Sequence, residues 1–389
     1  MSNVPEIRFK GFTDAWEQRK LGEVCGNFRS GNSITADSIF DVGVYPVYGG
    51  NGLRGYTNDF THEGDFVLVG RQGALCGNIN TATGKVYISE HAVVINENEL
   101  SDIGYLEHLL TKLQLNRFSE SSAQPGLSVD KLKKIDTASP TKVEQTAIGS
   151  FFRTLDNTIA IYKRKLDGLR ELKKAYLQQM FPQEGEVVPR IRFAGFTGDW
   201  ENRNLGSIGE TYTGLTGKTK DAFGMGEARF VTYINVFNNP ITSREGVGVV
   251  EIDNRQNEVK YGDMFFTTSS ETPEEVGMSS VWLHSSEYVY LNSFCFGFRP
   301  TMDLCPYYMA FMLRSPYVRS KIQLLAQGIS RYNISKTKLL EIEMPFPLIG
   351  EQKIIGSFFA NLENQITTQI KKLEQLGRLK TAYLQKMFI

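Results

Sequence analysis

The sequence is poor in the residues that build disulfide frameworks and metal sites: its 389 residues hold 4 cysteines and 4 histidines. Cys25, Cys76, Cys295 and Cys305 are widely and irregularly spaced, with no C-x-x-C pair, and read as reduced, partly buried thiols. His62, His91, His108 and His284 are too scattered to suggest a metal cluster. No apolar run approaches the roughly 20 residues that a membrane-spanning helix needs, and the opening MSNVPEIRFKGF lacks a signal-peptide apolar stretch. A soluble, cytoplasmic protein is expected. Charge of one sign is also missing, since 43 Lys+Arg balance 43 Asp+Glu. With 41% hydrophobic residues, disorder is excluded, and at about 150 residues per domain two or three globular units are expected.

Catalytic motifs are equally scarce. Gly214-Leu215-Thr216-Gly217-Lys218-Thr219 fails as a phosphate loop, because the glycine required five residues before Gly217 is Tyr212. Gly49, Gly50, Gly52 and Gly55 lack the strand, spacing and helix of a dinucleotide fingerprint. There is no H-E-x-x-H and no G-x-S-x-G elbow. Asn238-Asn239-Pro240-Ile241 lacks the second proline and the aromatic of an amino-methyltransferase tetrapeptide, and Glu258-Val259-Lys260 is a nuclease-like triplet of a kind that chance supplies.

What the chain does have is an internal repeat. Ile7-Arg8-Phe9-Lys10-Gly11-Phe12-Thr13 returns as Ile191-Arg192-Phe193-Ala194-Gly195-Phe196-Thr197, an offset of 184. Residues 144–181 return at 351–388, an offset of 207, with 21 identities in 38 positions. Between these frames the two copies barely resemble each other. Their period is far beyond the 20–50 residues of a solenoid. Either the inserts drifted after an old duplication, or each recognises something different; composition does not choose.

The repeated frame is helical. Pro140 precedes a proline-free run that lasts until Pro182, and Thr141 with Glu144 fits a capping box. Leu155, Ile159, Tyr162, Leu166 and Leu169 advance by 4, 3, 4, 3, with Leu362, Ile366, Gln369, Leu373 and Leu376 in register in the second copy. That is a short heptad seam. At about 1.5 Å per residue, such a helix is roughly 55 Å long, more than one small domain can shield. Antiparallel pairing of the two copies answers this, with separate helices on separate domains as the alternative.

The inserts contain β-rich stretches, among them Phe66–Val69, Lys85–Ile88, Ala92–Ile95, Phe230–Val236, Met264–Thr268 and Phe294–Phe298, followed by helical stretches at Tyr105–Phe118 and Tyr307–Ala326. The expected fold is α+β: strand-rich domains at 1–140 and 191–347 in a pseudo-twofold repeat, joined by two long antiparallel coiled-coil helices at 141–181 and 348–389, with a linker at 182–190.

Glu-Gln-x-x-Ile-Gly-Ser-Phe-Phe opens each long helix, and Ala-Tyr-Leu-Gln-x-Met-Phe closes it. With the paired Arg-Phe-x-Gly-Phe-Thr openings and Tyr45-Pro46-Val47-Tyr48-Gly49-Gly50-Asn51-Gly52, this arrangement resembles the specificity subunit of type I restriction-modification systems over essentially the whole chain. The second insert lacks the Tyr-Gly-Gly-Asn-Gly stretch. The resemblance implies a non-catalytic DNA reader. Its two target-recognition domains would each read one half of a split, asymmetric site in double-stranded DNA, with the helices setting the spacing. The implied partners are two methyltransferase subunits, which use S-adenosylmethionine to methylate adenine, and motor-nuclease restriction subunits. No cofactor is expected in this chain.

Base reading calls for Arg or Lys at guanine, Asn or Gln at adenine, and Ser or Thr at either. Tyr48, Asn51, Arg54, Tyr56, Arg71, Gln72 and Gln124 fit or flank that chemistry in the first insert, and Lys218, Thr268, Ser269, Ser270, Arg331, Tyr332 and Asn333 do so in the second. Gln124 and Arg331 correspond at the 207 offset, so equivalent positions would carry different base preferences. Residues 141–181 hold 8 basic and 4 acidic side chains and residues 351–389 hold 6 and 3, so the helices carry +4 and +3 and the remainder −7. Partner subunits are therefore expected to supply much of the phosphate clamp. Two other functions compete with this reading: a duplicated protein-binding adaptor with a coiled-coil spacer, and an enzyme with an unrecognised site.

Overall fold

The computed structural model describes residues 3–119, 126–285 and 287–389. The chain divides into two compact units, Met1–Arg164 with Ile370–Ile389, and Lys165–Gln369. Two helices of 38 residues, Lys142–Gln179 and Ile349–Lys386, each contribute to both units. Among the described residues, no helix is long and apolar enough to cross a membrane.

The first unit contains β1 (Glu17–Lys20), β2 (Phe28–Ser30), β3 (Tyr45–Gly49), β4 (Gly52–Thr57), β5 (His62–Gly70), β6 (Ile79–Ile88), β7 (Ala92–Ile95) and β8 (Asp136–Ser139). Six of them form a sheet in the order β2-β7-β5-β6-β3-β4, and β1 pairs with β8. Ala92-Val93-Val94-Ile95 is fully buried, as a short continuous apolar run predicts for a central strand. The helix Ile103–Leu113 follows, its first turn capped by Asp102, which accepts from Tyr105 N.

The second unit contains β9 (Glu201–Asn204), β10 (Gly209–Thr213), β11 (Phe223–Val231), β12 (Val247–Val250), β13 (Met264–Thr267), β14 (Ser269–Ser270), β15 (Ser279–Val281), β16 (Val289–Leu291), β17 (Cys295–Pro300), β18 (Tyr332–Asn333) and β19 (Glu343–Phe346). Its main sheet runs β10-β17-β13-β15, the same first-last-second-third order as β2-β7-β5-β6. β3 pairs parallel with β6 and antiparallel with β4; β11 pairs parallel with β16 and antiparallel with β12. The inserts therefore share one topology despite their dissimilar sequences.

The repeated motifs hold each unit together. Arg8 Nε and Nη2 donate to the two oxygens of Glu144 at 2.6 and 2.7 Å, and Arg192 does the same to Glu351 at 2.7 and 2.8 Å. This corrects the capping-box expectation for Thr141 and Glu144, because a bidentate pair with a buried carboxylate outweighs a neutral cap bond. The closing motifs are exchanged. Phe388, from the end of the second long helix, stacks on Tyr105 at 5.4 Å in the first unit's core, and Phe181, from the end of the first, stacks on Phe359 at 5.6 Å in the second unit's core.

In each unit the two helices run antiparallel. In the first, Phe151 meets Tyr383 while Asp156 pairs with Lys380 at 2.5 Å; in the second, Lys173 pairs with Glu363 while Tyr176 meets Phe358. The seam positions Leu155, Leu166, Leu362, Ile366, Gln369 and Leu376 are buried. His108, Glu107 and Asp156 cluster in the first unit, but Asp156 is already engaged by Lys380 and by His108 Nε2 at 2.9 Å. Burial alone would raise this carboxyl, and these two donors hold it below the ordinary aspartate range.

Two further expectations are corrected. The strand anticipated over Phe230–Val236 ends at Val231, because Thr232 accepts from Asn235 N and starts the short helix Tyr233–Asn238. The single helical stretch Tyr307–Ala326 is two helices, Pro306–Met312 and Pro316–Gln323, interrupted before Pro316. The four cysteines are free and buried, and burial pushes the thiols of Cys25 and Cys295 up to about 12.

Candidate nucleic-acid interface

In the first unit the β3–β4 hairpin turns at Gly50-Asn51, with Gly49 opposite Gly52. Gly52 has φ +91°, which favours glycine. A Cβ on Gly50 would lie 2.9 Å from His91 O and 3.0 Å from Gly70 Cα. Glycine thus lets the tip settle beside the end of β5, where Arg71 begins the next loop. Asn80 Nδ2 fastens the tip by donating to Gly50 O at 3.1 Å. Asn51 and Arg54 are exposed on this hairpin, Tyr48 packs half-buried over the cluster around Leu68 and Ile88, and Tyr56 exchanges backbone bonds with Phe40.

Arg71 Nη1 donates to Ser30 Oγ at 3.0 Å, and Arg71 O accepts from Leu127 N at 2.9 Å. Gln72 is exposed and bridges Gly126. Ser30, Arg71, Gln72, Gly126, Ser128 and Asp130 line a cleft of about 410 Å³. The structure thus brings the hairpin tip, Arg71 and Gln72 to one edge. Gln124 lies outside the described residues.

The second unit builds the corresponding edge from different residues. Thr268 O accepts from Ile334 N at 3.0 Å, as Arg71 O accepts from Leu127 N. Ser269 pairs with Asn333 and Ser270 with Tyr332, as Gln72 bridges Gly126. Arg71-Gln72 and Thr268-Ser269 are therefore structural equivalents, although no sequence identity marks them.

Arg331 is exposed at a hairpin in which Gln327 and Asn333 exchange backbone bonds of 2.9 and 3.0 Å. Ser269 and Ser270 are buried, with Ser270 Oγ donating to Glu275 at 3.1 Å, and Thr268 Oγ1 donates to Phe294 O at 2.8 Å. These three side chains support the edge, while Arg331 and Asn333 are exposed on it. Lys218 is engaged elsewhere, paired with Asp253 at 3.1 Å. Hydrogen bonds from Arg255, Gln256 and Lys218 hold Asp253 well below the ordinary carboxylate range.

Residue type did not single out Tyr233, whose hydroxyl donates to Ser269 O at 2.8 Å, or half-buried Arg314 and buried Arg319, which lie beneath the loops of this unit. Both donate to backbone carbonyls, with Glu363 the carboxylate whose charge reaches Arg314. Arg314 directly after the apolar run Met309–Leu313 was the available signal.

A family model described as type I restriction modification DNA specificity domain matches the chain twice, over residues 13–171 and 197–377. The chain is similar to the type I restriction enzyme EcoprrI specificity subunit of Escherichia coli, at 39% identity over 165 residues, 41% of each protein. It is similar to the MjaVIII specificity subunit of Methanocaldococcus jannaschii at 21% identity over 422 residues, covering 97% of this chain and 93% of that protein. Four of the curated relatives are matched over less than half their own length, at 41%, 35%, 45% and 20%. Among solved structures, the S subunit of a type I restriction-modification system from M. genitalium shares the fold with a TM-score of 0.70 at 15% identity, covering 99% of both chains. A chain from a structure of type I R-M complex assembly and conformational transition follows, with a TM-score of 0.52 at 15% identity, covering 96% of this chain and 97% of that one.

Proposed function

Since this chain belongs to the family of type I restriction modification DNA specificity domains, we propose that it is a non-catalytic DNA sequence-recognition subunit, each of whose units reads one half of a bipartite, asymmetric site. The observation that carries this reading is the duplicated edge. One backbone arrangement carries exposed Gln72 beside Gly126 in the first unit and, in the second, exposed Asn333 beside Ser269 with Arg331 on the same hairpin. A common scaffold with different donors and acceptors is what reading two different base sequences requires.

In this proposal the chain directs methyltransferase and restriction subunits to its site. S-adenosylmethionine belongs to the methyltransferase, whose product is methyladenine. The charge distribution supports shared DNA binding. With helices at +4 and +3 and the remainder at −7, the chain has no Lys/Arg excess of its own for a phosphate clamp.

Footprinting on DNA carrying the cognate site tests this. The chain with its methyltransferase partner should protect two short tracts separated by an unprotected spacer, whereas the chain alone should bind non-specific DNA only weakly at physiological salt. Protection by the partner alone, or none with both present, would remove the DNA-reading role and favour a protein-binding adaptor.

A further inference from the structure

The second unit lacks the Tyr-Gly-Gly-Asn-Gly hairpin, yet its topology identifies what occupies that place. In the first unit, β3 leads into the tip: Val47 and Tyr48 pair with Tyr87 and Ile88 of β6, and the chain returns along β4. In the second, Phe230 and Val231 of β11 pair with Tyr290 and Leu291 of β16, and the chain returns along β12, starting at Val247. The counterpart of the two-residue turn is therefore the fifteen-residue connection 232–246.

This connection is not a slack loop. Asn235 is buried and ties both of its ends: its Nδ2 donates to Ser243 O and Gly246 O at 2.8 Å each, and its Oδ1 accepts from Ser243 N at 2.8 Å. Arg314 clamps it from below. Its Nη2 donates to Val236 O, Phe237 O and Asn239 O at 2.8–3.0 Å, and its Nε donates to Ser279 O at 2.7 Å. Burial brings this guanidinium down to about 10, so it is charged at neutral pH with carbonyls as its partners. Thr111 stands at the corresponding place in the first unit, matched through Tyr105 and Tyr308, whose hydroxyls donate to Ala138 O and Pro345 O. A two-residue turn requires no such anchor.

Asn238 and Arg244 lie exposed on the clamped segment, and they are the residue types that read adenine and guanine edges. Tyr233 joins the segment to the edge already described through its bond to Ser269 O.

Resting on the DNA-reading function proposed above, we infer that residues 232–246 form a base-reading element of the second unit, offering Asn238 and Arg244 to base edges, with Arg314 as the positioning residue that fixes its shape.

The test is modified-base mapping of DNA from cells expressing the full chain with its methyltransferase partner. Asn238→Ala and Arg244→Ala are surface changes that leave the fold intact. Each should relax discrimination at one or more positions of a single half-site by about ten- to hundredfold, leaving the other half unchanged. Arg314→Lys should relax the same half by altering the ratio of correct to one-base-variant sites modified, which a merely structural loss of active complex would not do. If Asn238→Ala and Arg244→Ala leave the motif intact while Asn333→Ala changes it, the segment is not a reader although DNA reading stands. If none of these variants changes the motif, the inference fails together with the function beneath it.

Discussion

Replacing Glu144 by alanine should lower the stability of the first unit by about 3–5 kcal/mol, among the largest effects of any single change in this chain. Glu144 is 1% exposed, and its two oxygens are both held by Arg8. The substitution strands a half-buried guanidinium and opens a cavity at the base of the long helix. The converse change, Arg8→Ala, leaves the buried carboxylate unpaired and should cost a comparable amount. The double variant should be less damaging than the two losses added, because the unpaired charge is then gone. Arg192 and Glu351 repeat this geometry, so Glu351→Ala should destabilise the second unit in the same way. Native-state hydrogen exchange resolves the two: each variant should speed exchange mainly in the strands of its own unit. Equal loss of protection in both units from either variant would contradict this independence.

Arg319→Ala is expected to cost on the order of 3 kcal/mol and to loosen recognition in one half of the site. The Arg319 side chain is buried and donates to Gly277 O, Glu274 O and Val276 O at 2.7–2.8 Å, the loop that follows Ser269 and Ser270. Its removal leaves Gly277 O and Val276 O without their donor and Glu274 O with only Gln323 Nε2 at 3.4 Å. Burial brings the guanidinium down to about 10, so it carries charge under all ordinary assay conditions. Arg319→Lys should rescue little, since a lysine cannot reach three carbonyls with one planar fork and begins from a lower pKa of about 10.4. Thermal unfolding of the two variants beside Arg319→Met checks this: wild-type-like stability in any of them would mean that the loop is held by other contacts.

Much of the scaffold was legible because its signals are local. The 4-3-4-3 spacing from Leu155 to Leu169 and the absence of proline between Pro140 and Pro182 are sufficient for a long helix. Ala92–Ile95 declares a buried strand in four residues. The repeat itself suggested that each helix needs the other.

The rest depended on contacts distant in sequence. Repetition of Ala-Tyr-Leu-Gln-x-Met-Phe marks its importance, but only the structure shows Phe181 in the second unit's core and Phe388 in the first unit's core. The equivalence of Arg71 with Thr268 lies in backbone pairing with Leu127 and Ile334, which side-chain identity does not record. At Thr232, cap chemistry overrides the β-propensity of the following Tyr, Ile and Val, which turns an expected strand into a helix and a clamped segment. Ser269 and Ser270 have reader chemistry but sit buried, and Lys218 is spent on Asp253; residue type alone does not report burial or a local ion pair.

The central claim is that each unit reads its own half of one DNA site. Its most direct test is mapping modified bases in genomic DNA from cells expressing this chain with its methyltransferase partner, before and after exchanging residues 197–347 for the matching segment of a relative. A two-part motif in which the exchange alters one half and leaves the other, with the spacer unchanged, is the predicted result. A modification pattern that does not depend on this chain, or an exchange that alters both halves together, would contradict it.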